Sequence, residues 1–553
     1  MLQRVPEPGL AETTDTGRLP RWLGMPVPAL IICFGMVLAV FLAAPGQTVT
    51  TKYLNDLLVF LDGAYRIAAG QVPNVDFHSS LGPLAYYIPA AGYGLSGSLA
   101  AAMPVGMGLV VLALALIAAH VVGTRMRPAI GLPLALFLLL ITAAPVNSGE
   151  RIADLSFAMF YNRVGWSALG LLLVMYLPPA TPRPGQTGLD VLCGVVLVLL
   201  MLYLKATYGV VALAFLALML LDRRGRGWAM PAIITCLVAG VLVELAWGGT
   251  ASHVSDLRLA ARVSGGLPSF RALVLTVLQN FADALVYCIF VLLLVVGRKR
   301  VGDLLFVGFC AATGVLLIEQ NFQTAAIPTL AAGAAVAAEA LARARQTERN
   351  RWNAFAPGLP LLLLVLILPA SVQNGLSLGL HTGLAASRQG DQIPLRNFQG
   401  IRLARMWSNG TYPRFTRYIE TLRDGAGALA SLSDPNRVMV LDFVGPFSAG
   451  LGLQPPRGDS TWYHWGRTLN GQNFPPEEIF ADVQIVMEPK SPLERRTANG
   501  MWQVYGAYIA AHFQLARETA FWRIYLAKPL GADAAVRHSS DISTIRKRTS
   551  AHP

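Results

Sequence analysis

Charge is what this sequence has least of. Of 553 residues only 14% are charged and 54% are hydrophobic, against about 25% charged in an ordinary globular domain. With a mean hydropathy of +0.50, the chain falls outside the soluble class and is expected to be an integral membrane protein. Acids are scarcer still, 31 against 44 Lys and Arg, which leaves a net charge of +13. A surplus of that size can mark a nucleic-acid binder. Here the basic residues of the first two thirds sit mainly in short loops between apolar runs, which is an orientation signal and not a nucleic-acid footprint. The expected partner is the lipid bilayer, and no nucleic acid.

Cysteine is also sparse, and its placement excludes two further classes. Cys33, Cys193, Cys236, Cys288 and Cys310 all fall inside apolar runs, where cysteine behaves as a small hydrophobe. None is left for a disulfide in the polar part. No CxxC or His-x-x-His spacing occurs, so no thiolate metal site and no cofactor are expected, with a divalent cation left open. The polar stretch 1–24 has no convincing cleavage site after it, and the first apolar run reads as a retained anchor. No internal repeat is visible.

What is present is a series of apolar runs. A crossing helix needs roughly 20 apolar residues, which predicts helices at 27–45, 98–122, 128–145, 164–178, 189–204, 207–221, 229–248, 273–296, 302–320, 322–342 and 354–373. With the N-terminus in the cytoplasm, alternate loops carry Arg125 and Arg127, Arg183, Arg223, Arg224 and Arg226, Arg298, Lys299 and Arg300, then Arg343, Arg345, Arg349 and Arg351. All the tight basic clusters then share one side, as the positive-inside rule requires. About eleven crossings place the region after residue 375 on the opposite face, the periplasm of a bacterial inner membrane.

The expected organisation is a cytoplasmic tail at 1–26 and a transmembrane module at 27–374 with its first periplasmic loop at 46–97. A soluble α/β domain at 375–531 and a disordered basic tail at 532–553 follow. In the soluble part, a helix is expected at 414–432, strands at 437–443 and 483–487, a helix at 501–512 and paired strands at 513–519 and 521–527.

Residues 51–84 break the poverty of charge. They hold Asp56, Asp62 and Asp76 with Arg66 and His78, and carboxylates near a bilayer are costly unless solvated, paired or used. Leu54, Leu57, Leu58, Leu61, Tyr65 and Ala69 recur at spacings of three and four, which predicts an amphipathic helix lying on the membrane surface and stopping at Gly70. Asp56 and Asp62 are six apart, about 240° around a helix, so they face different ways and do not form one carboxylate pair. Gln71-Val72-Pro73-Asn74 reads as a turn, and Gly82-Pro83 leads into a second apolar stretch.

Such a loop suits proton-coupled transport, metal binding or general-base catalysis. Transporters keep ionisable residues in mid-span and show repeated halves. Here the interior candidates are few, chiefly Lys205, Glu244, Asp283 and Glu319.

An acid soon after the first span, a helix ending Arg66-Ile67-Ala68-Ala69-Gly70, then Pro73-Asn74-Val75-Asp76-Phe77 and Gly82-Pro83-Leu84 resemble the GT-C membrane glycosyltransferases. That family includes the protein mannosyltransferases and the lipid A aminoarabinose transferases. The resemblance implies a polytopic helical fold with a soluble outer domain. It also implies transfer of a sugar, with inversion, from a polyprenyl-phosphate carrier to a lipid, glycan or protein acceptor at the periplasmic face. Asp56 then takes the position of the base that accepts the acceptor hydroxyl's proton. Relatives carry Asp-Glu where this chain has Asp56-Leu57, which keeps Asp62 as a second candidate.

The remaining candidates each have a functional and a bland reading. Asp76 orients the acceptor or binds a cation, or forms a turn with Ser79. His78 is a base or a hydrogen-bonded loop residue, and Arg66 a substrate contact in the same loop. Arg163, Lys205, Arg258 and Arg262 are cations on the face where the positive-inside rule disfavours them. Each fits a carrier phosphate, or a lipid headgroup contact. Gln320, within Glu319-Gln320-Asn321 and near Gln323, binds sugar or closes a polar turn. The cluster Trp462-Tyr463-His464-Trp465 with Arg467 and Asn470 stacks on a sugar, anchors at the interface or fills the domain core. Two other functions stay open: a transporter or flippase of a lipid-linked glycan, and a non-catalytic envelope assembly protein.

Overall fold

The computed structural model describes residues 26–265, 269–321, 323, 325, 327–347, 357–406 and 410–529. The tails expected at 1–26 and 532–553 lie, but for residue 26, outside the described residues. In chain order the first part is α1 (Val27–Ala43), β1 (Thr48–Thr50), α2 (Leu54–Ala68), α3 (Leu84–Ser96), α4 (Leu99–Arg125), α5 (Pro128–Ala143), α6 (Phe160–Val174), α7 (Gln186–Leu204) and α8 (Ala206–Leu221). It continues with α9 (Arg223–Trp247), α10 (Thr250–Ser264), α11 (Phe270–Gln279), α12 (Phe281–Arg298), α13 (Val301–Gln320), α14 (Pro328–Thr347) and α15 (Leu359–Ala386).

A helix stands wherever an apolar run predicts one. Six of them, α4, α7, α9, α12, α13 and α15, are long and apolar enough to cross a membrane, and α1, α5, α8 and α11 are shorter apolar helices. The protein is a multi-pass membrane protein. Its helices approach closely where small residues meet, as membrane packing favours. A Cβ on Gly35 of α1 would lie 2.4 Å from the Ala115 Cβ of α4, and one on Gly92 of α3 would lie 2.0 Å from the Ala102 carbonyl.

Three expectations need correction. The run at 273–296 is two helices, because the backbone leaves the helical region at Asn280 (φ −108°, ψ 30°). The Asn280 side chain donates to the Thr276 carbonyl at 2.9 Å, the kind of local bond by which Asn competes with helix continuation. The border placed at residue 375 lies inside α15, which runs on to Ala386. Finally, α2 does not lie on a membrane surface, since Leu54, Leu57 to Ala64 and Arg66 are all buried. Its polar face is covered by the C-terminal part, which period-reading within 51–70 had no means to show.

That part contains β2 (Asp391–Gln392), β3 (Ile401–Leu403), α16 (Tyr412–Ala430), β4 (Val438–Val440), α17 (Phe447–Leu451), α18 (Pro476–Ile479), β5 (Ile485–Pro489), α19 (Arg495–His512), β6 (Phe513–Glu518) and β7 (Trp522–Ala527). The expected helices and strands are all there. The main sheet runs β4-β5-β7-β6, with β4 and β5 parallel and the other pairs antiparallel. Alternation sends successive side chains to opposite faces. Ile485 and Met487 join a core continuous with the helical bundle, while Val486 packs with Met501, Tyr505 and Ile509 of α19 in a separate cluster.

A second sheet, β1-β3-β2, ties the two parts together. Thr48, Val49 and Thr50, just after α1, pair in parallel with Ile401, Arg402 and Leu403, just after α15. The first long loop is therefore clamped beneath the C-terminal part.

Candidate functional site

The loop motif is held by close backbone approaches. A Cβ on Gly82 would lie 2.0 Å from the Tyr203 carbonyl, and one on Gly63 2.1 Å from the Tyr86 ring. Only glycine lets Gly82-Pro83 rest against the end of α7, where the Gly82 N–H donates to the Leu204 carbonyl at 3.2 Å. Helix α2 stops as predicted, with Gly70 at φ +85°. At its other end Tyr53 sits at φ +53° and donates to Glu150 at 2.8 Å, beside a Lys52–Glu150 pair of the same length. These bonds fix the start of α2 against the loop between α5 and α6.

Most of the charged residues predicted from the loop are consumed by internal pairing. Asp62 and Arg66 are 1% and 2% exposed and pair at 2.7 Å. Arg66 also pairs with Asp459 at 3.0 Å and donates to the Pro456 carbonyl at 2.7 Å. Asp76 accepts from the Val72 N–H at 2.8 Å and pairs with Arg457 at 3.0 Å, so its turn is made with Val72 and not with Ser79. His78 lies between Asp256 (2.9 Å) and Glu478 (3.1 Å) and stacks on Phe474 at 3.9 Å. Burial works against the charged ring, but the two carboxylates outweigh it and raise its pKa to about 9, so it is an imidazolium at neutral pH and has no basic nitrogen to offer. Asp256, on α10, also accepts from Asn74 and from the Ser79 N–H, each at 2.9 Å. The Pro-x-x-Asp-Phe stretch thus works as a clasp between loop, α10 and C-terminal part.

Asp56 is arranged differently. It lies in the first turn of α2, is half-buried, and among the described residues forms no ion pair. Burial pushes its carboxyl up to about 7, against the pull of the Arg467 charge and a backbone N–H, with Glu150 adding repulsion. The same Arg467 acts electrostatically on Tyr161 and Lys205, so four side chains from α2, α6, the α7–α8 junction and the C-terminal part share one locality. Gly466, at φ +82°, supplies the turn that brings Arg467 there.

Lys205, between α7 and α8, is half-buried. Its ammonium donates to Asn162 Oδ1 at 3.0 Å and to Asn321 Oδ1, and sits 5.1 Å from the Tyr161 ring centre. Burial first, and then Arg467, pull its pKa down to about 7. An arriving anion would restore its charge. The locality therefore joins a carboxylate near its midpoint at neutral pH to two cationic groups.

The other predicted residues lie elsewhere or point inward. Arg163 is fully buried, with Nη1 donating to Asn147 Oδ1 and to the Val146, Ser156 and Ala158 carbonyls at 3.3 to 3.4 Å. It shapes the loop before α6. Arg258 and Arg262 are exposed on α10. Gln320 is exposed at the end of α13. The polar turn behind it does contribute, through Asn321 on Lys205 and through Gln323, which accepts from Trp166 at 2.6 Å. Tyr463 is buried and donates to Asp459 at 2.6 Å, a core role within the aromatic cluster. Sequence reasoning missed Asp256 and Asp459, for which no local spacing gives a signal.

Fold and site together define a multi-pass membrane protein with a C-terminal α/β part closed over its first long loop. No family model matches the chain, and no curated protein matches it. Among solved structures the chain is similar to ArnT from Cupriavidus metallidurans in the apo state, at 14% identity and a TM-score of 0.42, over 91% of this chain and 99% of that one.

Proposed function

We propose that the protein is a GT-C-type glycosyltransferase that moves a sugar from a polyprenyl-phosphate carrier to an acceptor hydroxyl, with Asp56 as general base. The observation that carries this reading is the difference among the loop's acids. Asp62 and Asp76 are spent in ion pairs, whereas Asp56 has none among the described residues and titrates near neutrality, where a base works best. The loop motif, with its resemblance to the GT-C enzymes, adds the substrate class.

In this reading the Asp56 carboxylate takes the acceptor O–H proton while the oxygen attacks the sugar's first carbon from the face opposite the phosphate. The carbon–oxygen bond to the carrier breaks, and its electron pair leaves on the phosphate. Lys205 and Arg467 balance that charge as it develops. Tyr161 and Asn162 hold the Lys205 ammonium. Asp62 and Arg66 position α2 and touch no substrate.

We assign the orientation in the same way. The structure gathers Arg125, Arg127 and Arg343 at one end of the bundle through Glu339 and the Arg125 carbonyl, and Arg224, Arg298 and Arg300 around one cavity at that end. Placing this end in the cytoplasm of a bacterial inner membrane puts eleven crossings between the N-terminus there and the C-terminal part in the periplasm.

The test is Asp56→Asn in a host lacking the native chain, with the glycolipid and glycan profile as readout. Loss of a general base lowers transfer by about 10²- to 10⁴-fold, with expression and membrane insertion unchanged. Normal transfer would remove Asp56 from the role, and loss with Asp62→Asn alone, at unchanged stability, would move it there.

A further inference from the structure

The end of the bundle away from Asp56 carries a chamber that the proposed reaction does not use. Two adjoining cavities of about 450 and 190 Å³ share Leu177, Pro178, Arg224, Arg298 and Arg300, and Arg343 lines the smaller one. The nearby acids are already engaged. Asp303 accepts from the Tyr176 hydroxyl at 2.7 Å and pairs with Arg298 at 3.3 Å. Glu339 pairs with Arg127 at 3.0 Å and Arg343 at 2.9 Å, and Asp222 caps α9 by accepting from the Arg224 N–H at 3.1 Å. Arg343 is fixed further by donating to the Pro178 carbonyl at 2.9 Å. Among the described residues no carboxylate pairs with the Arg224 or Arg300 guanidinium, and Arg224, Arg298, Arg300 and Arg343 outnumber the Asp222 and Asp303 carboxylates in the chamber's lining.

Much of the remaining wall is apolar. Leu221, Val301 and Leu305, which line the larger cavity, are 71%, 73% and 46% exposed, as expected of apolar side chains that meet lipid in a multi-pass membrane protein. A small free anion would use the guanidiniums and gain nothing from these walls. A phosphate attached to acyl chains uses both, with its oxygens on Arg224 and Arg300 and the root of its chains along Leu221 and Val301. We propose that this chamber binds the phosphate headgroup of an anionic glycerophospholipid from the surrounding leaflet. The assignment stands independently of the transferase reading.

Native mass spectrometry of the full-length protein, released from micelles doped with phosphatidylglycerol or phosphatidylcholine, reads the occupancy. Two arginine contacts to an anionic lipid correspond to about thirtyfold in affinity. The unaltered protein should therefore retain phosphatidylglycerol about thirtyfold more tightly than Arg224→Gln/Arg300→Gln does, and prefer it to phosphatidylcholine. Arg224→Lys/Arg300→Lys, which keeps the charge, should retain most of the binding and controls for folding. Equal retention by the Gln variant, or no preference between the lipids, overturns the proposal. Displacement of the lipid by millimolar inorganic phosphate would make the chamber a site for a soluble anion and also defeat it.

Discussion

Replacing Asp56 by Asn should make the protein more stable at pH 8 than at pH 4.5 relative to the unaltered chain, an effect opposite in sign to that of most buried-acid substitutions. The carboxyl is raised from an ordinary 3.8 to about 7, so between those values the folded protein holds a proton that the unfolded chain has released. Stability contributed by that proton is complete below about pH 4 and is lost as the pH climbs through about 7. Three pKa units amount to an upper bound of about 4 kcal/mol, and contact of this half-buried side chain with solvent screens that to about 1–2 kcal/mol. Asn carries no such proton. The two proteins should match below about pH 4, diverge steadily from there to about pH 7, and differ by a constant 1–2 kcal/mol above about pH 7.5, with the variant the more stable. Thermal unfolding in detergent from pH 4.5 to 8.5, followed by tryptophan fluorescence, measures this without knowledge of the substrate. A difference that stays flat with pH, or a variant less stable at pH 8, refutes the argument that burial sets the titration of Asp56. Transfer itself should rise with pH through about 7 in the unaltered protein.

Three further outcomes separate architecture from chemistry. Arg66→Met leaves Asp62 and Asp459 buried without their cation, which should cost about 3–5 kcal/mol and expose the residues after Ala386 to protease, measured as melting temperature and cleavage rate. Gly82→Ala drives a Cβ to 2.0 Å from the Tyr203 carbonyl. Its expected cost is about 1–3 kcal/mol, with a loss of transfer greater than the melting shift alone explains, because the shifted backbone adjoins Lys205. Lys205→Ala should weaken binding of the phosphate donor more than that of the acceptor in a paired titration, and equal weakening would mark Lys205 as structural.

The helical bundle was legible because length and uninterrupted apolarity decide it within a single run. The stop of α2 at Gly70 and the β6–β7 hairpin were legible for the same reason, being set by near neighbours. What escaped depended on partners far along the chain. The charge period of α2 correctly separated Asp56 from Asp62, but nothing within reach of Arg66 shows that Asp459, 393 residues away, would capture it. Nor does a three-residue strand such as Thr48–Thr50 carry a readable alternation, and among the described residues its partner lies beyond fourteen α-helices. Lys205 was found because a lone cation between apolar runs stands out. That Asn162 and Asn321 hold its ammonium was not legible, since neutral amides at helix ends are common and their partner lies on another helix.

The pairing of Thr48–Thr50 with Ile401–Leu403 also sets a schedule for biogenesis. The two strands are separated by about 350 residues of chain, which at 5–20 residues per second is roughly 20 to 70 s of synthesis. Throughout that interval the acidic loop has left the ribosome without the cover that buries it, and its carboxylates are ordinary hydrated acids. Arg66 acquires its second carboxylate, Asp459, and Asp56 the opposing charge of Arg467, only when the last segment arrives. A chain halted before residue 401 would insert its helices and still leave this loop without its cover, so the loop is closed only at the end of translation.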